Sequence, residues 1–210
     1  MISIKIKSLL GLSAVVFSLL FLHFSAFSAD PAASKAASAV QSEKMKPLQF
    51  EATVIGVRGS AASMSTGVTI WLEATTSDED LHEYLNLIAE KQAQGYTSQL
   101  RQRLERVSGL GRIAITGKTG TELAVVRRRQ TEEGELFTLV TARNLPFVEL
   151  RHGGRTTDYP FSFVQLLVDE EGKGQGTVIV AARVMFDDDG QLEIESYGLQ
   201  PFQLVNVRRW

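Results

Sequence analysis

The sequence predicts a mainly β protein (β-rich α+β): about nine antiparallel strands in a barrel or sandwich, with a two-helix insert after the second strand. Three observations carry this. Beyond Leu48, apolar residues alternate with polar ones over most of the chain, the period of half-buried strands. Short Gly-containing turns separate the runs, which favours antiparallel neighbours. One stretch alone, 78–107, changes to the helical period.

The elements follow in order. Gln49–Arg58 and Gly67–Thr75 form the first strand pair across a Gly/Ser-rich loop. In the second strand Val68, Ile70, Leu72 and Ala74 share one face, and Thr69, Trp71, Glu73 and Thr75 the other. Ser77 then caps a helix with Asp80 at the capping-box position. Asp78 and Glu79 sit at the positive end of its dipole. Leu81, Leu85 and Ile88 repeat at helical spacing, Gly95 interrupts, and Tyr96, Leu100, Leu104 and Val107 resume. The spacing predicts two short helices, 78–93 and 97–107. Strands are expected at Arg112–Thr116, Glu122–Arg129, Leu136–Arg143, Phe161–Val168 and Thr177–Phe186. In the last of these Val178, Val180, Ala182, Val184 and Phe186 share a face. Asp187-Asp188-Asp189-Gly190 marks a hairpin. Leu192 and Ile194 then point inward, Glu193 and Glu195 outward. Phe202–Arg208 is the final strand.

The N-terminus has the three parts of a secretory signal peptide. Lys5 and Lys7 supply charge, Leu9–Phe27 is almost wholly apolar, and small residues follow. Cleavage after Ser28 places Ala26 where the peptidase pocket admits only small side chains. An uncleaved anchor is the rival reading, because about 20 apolar residues span a bilayer. The small-residue exit and the polar sequence after it favour removal. The expected organisation is a signal peptide over 1–28, a disordered Ala/Ser-rich tether over 29–47, and one domain over 48–210. The expected location is the periplasm or the medium, with no stable membrane insertion after signal removal. Without cysteine there is no disulfide, thiolate metal site or lipid-modified cysteine. Of 22 basic and 24 acidic residues, losing Lys5 and Lys7 leaves 20 against 24. That balance argues against nucleic acid as a partner.

Several fragments imitate catalytic motifs and lack their essential parts. Gly111 to Thr119 has five residues between its glycines where a P-loop needs four, and a strand pattern follows. Lys118-Thr119-Gly120 matches one element of the penicillin-binding enzymes. No serine of the mature chain has a lysine three residues later, as the nucleophilic serine of those enzymes does. An EF-hand loop with Gly190 at its sixth position would begin at Met185 and end at Ser196, neither a carboxylate. A lipid-facing final strand would not place Arg208 and Asn206 on the face of Trp210.

The loop 144–160 is the best place for binding residues, since irregular loops on rigid β scaffolds carry them. Glu149, His152, Arg155, Asp158 and Tyr159 are the candidates. Glu149, His152 and Asp158 are also the residues an acid–base site would use. His82 and His152 lack metal-ligand spacing, so no metal, cofactor or catalytic residue is assigned. GRIAITGKTG, RTTDYPFSFVQLLVDEEGKGQGTVIVAARVMFDDDGQLEIESYG and QPFQLVNVRR resemble a family of exported bacterial proteins without an assigned function. The resemblance covers roughly 50–208. It implies export and a shared fold, and transfers no catalytic residue. The expected function is an exported non-catalytic binding module for a small apolar ligand or an envelope or protein partner. The alternative is a hydrolase-type enzyme built on the 144–160 loop.

Overall fold

Alternation becomes burial where the sequence asks for it. In Ser65–Thr76, Val68, Ile70, Leu72 and Ala74 are buried and Glu73 is exposed. The computed structural model describes residues 5–8, 42–56, 65–91, 95–145, 158–186, 192–197 and 200–210. Its elements are β1 (Lys5–Ser8), β2 (Ser42–Ile55), β3 (Ser65–Thr76), α1 (Asp78–Lys91), α2 (Tyr96–Leu104), β4 (Gly111–Ile115), β5 (Thr121–Glu122), β6 (Val125–Thr131), β7 (Gly134–Thr141), β8 (Phe161–Val168), β9 (Lys173–Phe186), β10 (Leu192–Ser196) and β11 (Phe202–Arg209).

Nine strands run in the order β5-β4-β3-β2-β11-β9-β8-β7-β6, every adjacent pair antiparallel. β10 pairs antiparallel with the Ala182–Phe186 end of β9, and β1 adds to β10 in parallel. The helices lie between β3 and β4 in the chain, after the second of these nine strands to be reached in sequence, as alternation and capping predict. β2 begins at Ser42, inside the stretch read as tether.

The sheet curls until its two ends meet. β5 and β6 are the extremes of the strand order, yet only Leu123 and Ala124 separate them in sequence. The Leu123 N–H donates to the Gly111 carbonyl at 2.9 Å on one side. The Ala124 N–H donates to the Val140 carbonyl at 2.7 Å on the other. The Val126 N–H and the Arg127 guanidinium also reach across to Thr76 of β3. Glu122–Arg129, read from the sequence as one strand, is therefore two. The physical sign is Leu123-Ala124-Val125-Val126, four consecutive buried residues in which alternation lapses as the chain changes partner.

Phenylalanines occupy the interior. Phe50, Phe137, Phe161 and Phe202 are almost wholly buried, and the rings of Phe50 and Phe137 lie 5.1 Å apart. Each such side chain contributes about 2–3 kcal/mol by leaving water. Tyr84 and Ile88 of α1, with Tyr96, Leu100 and Leu104 of α2, close the same cluster. Ser77 caps α1, its hydroxyl accepting from the Asp80 N–H at 3.1 Å and donating to the Asp80 carboxylate at 2.8 Å. Gly95, at φ +77°, leads into α2.

Two readings of the strands need correction. Val178 to Ala182 are all buried, so β9 is covered on both faces rather than one. A register shift between Phe161↔Ala182 and Phe163↔Ile179 interrupts its alternation. Ile179 and Ala182 join Ile194 and Phe163 in a second, smaller cluster. Glu193 and Glu195, expected to face water, are buried and half-buried respectively, because β10 is covered on this side too.

Candidate functional site

The second cluster leads to a place where charged and aromatic side chains gather around a part-buried core. Arg183 is a lone charge in the apolar second half of β9, and Glu195 lies directly across from it on β10. Its guanidinium donates twice to one Glu195 oxygen, at 3.1 Å from Nε and 2.5 Å from an Nη. The Tyr159 hydroxyl donates to the other oxygen at 2.9 Å. The Tyr159 ring also receives Arg183 on its face at 5.3 Å and packs 5.2 Å from Tyr197. Charge-assisted bonds of this kind hold all the partners in one arrangement.

Beside this network runs an open groove of about 720 Å³ between α2 and β9. Thr97, Ser98, Gln102, Asp158 and Arg183 are among the residues that line it. Arg101 and Glu105, also on its wall, pair along the helix at 2.8 Å. Arg103 holds α2 to α1 through two 3.0 Å bonds to Glu83. The walls thus carry hydroxyls, amides and charges of both signs, the furniture of a surface that meets a polar, extended partner. A second groove of about 370 Å³ lies between the β6–β7 and β8–β9 turns, ringed by Glu132, Glu133, Asp169, Glu170 and Glu171.

Of the residues expected from the sequence, Asp158 lines the first groove and Tyr159 stands in the network. Glu149, His152 and Arg155 lie outside the described residues, as does the hairpin tip at 187–190. His82 is exposed on α1, and Lys118 sits in the β4–β5 turn, its N–H donating to the Ile115 carbonyl. Among the described residues no three His, Asp or Glu side chains converge as a metal site. None of their helices is long and apolar enough to cross a membrane. The sequence reading missed Arg183 and Glu195. The available signal was an arginine inside an apolar run, opposite a glutamate on the next strand of a predicted hairpin.

Two phenols are held far from their ordinary titration. Burial raises Tyr84 from 10.0 to about 12, with Asp80 adding to the rise. Burial also raises Tyr96 to about 12. The Thr97 side chain offsets part of that, and among the described residues neither hydroxyl has a hydrogen-bond partner. Burial, then the bond to Glu195, raises Tyr159 as well. Above pH 10 the unfolded chain releases these protons before the folded one does. Stability present below pH 10 is therefore lost as pH climbs toward 12, by up to about 1.4 kcal/mol per pH unit for each ring. A tyrosinate absorbance titration is expected to show Tyr84 and Tyr96 ionising late and together with unfolding. Tyr84→Phe should remove one late proton and leave the melting temperature level or higher. A drop in that temperature would mean that the hydroxyl has a partner.

Comparison with protein-family models, curated proteins and solved structures gave no match to this chain.

Proposed function

We propose that the protein is an exported, non-catalytic binding module that engages an envelope or protein partner along the groove between α2 and β9. The observation that carries this reading is the contrast between the barrel-like interior and the groove as places for a ligand. The barrel-like interior is occupied by its own phenylalanines. The groove is open, polar on its walls, and backed by a rigid Arg183–Glu195–Tyr159 network. A small apolar ligand gains most from a dry apolar pocket, so this geometry favours the partner over the small molecule. Export rests on the tripartite N-terminus, Lys5 and Lys7 followed by Leu9–Phe27 and a small-residue exit.

Two measurements test the reading separately. The chain expressed with its own N-terminus and recovered from the envelope should have the denatured mass of a protein that starts at Ala29. An intact mass would refute export with removal. In the same cells a photo-crosslinking residue at Gln99, on the groove, should give one discrete adduct. The same residue at Glu73, on the outer face of β3, should give none. Equal adducts from both positions would refute the groove.

A further inference from the structure

The edge of β10 away from β9 is filled by β1. This is the one parallel pairing among the described strands. A parallel neighbour cannot arrive through a tight hairpin, so the pairing is an added strand docked on an open edge. The register gives its chemistry. Lys5 pairs with Glu193, Ile6 with Ile194, Lys7 with Glu195 and Ser8 with Ser196. Basic positions therefore lie opposite acidic ones, and an apolar position lies opposite an apolar one. Opposite charges at directly paired positions select both partner and register. On the reading that residues 1–28 are removed, which this inference rests on, the same edge is vacated in the mature chain. A vacant edge of unpaired backbone groups is a template for another strand.

We propose that the vacated edge of β10 is a strand-addition site. It takes, in parallel, an extended segment of a partner protein in which lysine or arginine alternates with an apolar residue, the pattern of Lys5–Ser8. Glu193 and Glu195 stand opposite the basic positions. Glu195 also belongs to the network that backs the groove, so a strand added here borders it directly.

The probe is a fluorescein-labelled peptide with the sequence of residues 3–9, SIKIKSL, titrated by anisotropy into the chain recovered from the envelope. The denatured mass of the same preparation is read first. If residues 1–28 are still attached, the export reading fails and this test is repeated on a chain that begins at Ala29. Saturable binding is expected. Reversing both charges in the peptide (Lys5→Glu with Lys7→Glu) should weaken it at least about tenfold. N-methylation of the peptide backbone at Ile6 or at Lys7 should do the same at whichever amide faces β10. These variants leave the protein untouched, so folding is not in question. The protein has no cysteine of its own. A peptide carrying Ser8→Cys should therefore crosslink to Ser196→Cys protein and not to Thr69→Cys protein. No binding to a chain of confirmed mature mass overturns the proposal, and so does equal binding of the charge-reversed peptide. A dimer that the peptide dissociates would place a second copy on the edge and overturn the assignment to a partner protein.

Discussion

Gly111→Ala is expected to destabilise the domain by about 3 kcal/mol or more. Gly111 has φ +138°, a conformation that residues with a Cβ rarely adopt. A Cβ there would sit 2.1 Å from the Trp71 carbonyl oxygen and 3.0 Å from Leu72 Cα, both backbone atoms that cannot swing away. The position also stands at the seam. The Leu110 carbonyl accepts from the N–H groups of Glu73 and Ala74, and the Gly111 carbonyl accepts from Leu123. Turning the backbone to relieve the clash would break the bonds that join β3, β4 and the entry to β6. Gly109→Ala is the control. It also has a positive φ, +79°, but its Cβ would meet nothing within 4 Å. Its cost should be about 1 kcal/mol. Urea unfolding of both variants decides the matter, and equal midpoints would refute the role given to Gly111.

Glu195→Ala is expected to cost about 2–3 kcal/mol, because it strands Arg183 and removes the acceptor of the Tyr159 hydroxyl. The Arg183 side chain is 34% exposed, so water recovers part of what a wholly buried arginine would lose. Replacing both partners with apolar residues, Arg183→Met with Glu195→Leu, should recover most of that stability. The double variant should nevertheless fail to give the Gln99 adduct if the groove depends on the charged network. Denaturant midpoints read the first effect and crosslinking the second. A single variant as stable as the parent would show that the network contributes nothing to the fold.

Much of the sheet was legible from the chain because alternation and turn chemistry are local. Val68 to Ala74 and the Ser77 cap follow from neighbours in sequence, and so do both helices. What escaped is set by distance. Nothing near Leu123 announces that one side of it pairs with β4 and the other with β7. The four-residue apolar run is visible, but it fits a buried strand as well as a seam. Likewise, an alternating Glu193 and Glu195 reads as a solvated face until Arg183, Tyr159 and α2 are known to cover it. The candidate site was half legible for the same reason. Asp158 and Tyr159 lie in a loop that reads as irregular, whereas Arg183 and Glu195 are disguised as ordinary strand charges.

The placement of β11 has a further consequence, for the timing of folding. It lies between β2 and β9, in the middle of the strand order, although it is the latest of the domain's strands to be synthesised. Until it emerges, β2 and β9 lack the strand that lies between them. Phe202 and Leu204, wholly or almost wholly buried in the finished core, are also missing. The bridge then joins Gln49 to Trp210, ends of the domain that must find each other across nearly its whole length. Such long-range closure is slow. A nascent chain of this design cannot complete its sheet until β11 has been made, so the strands already synthesised wait for their central member.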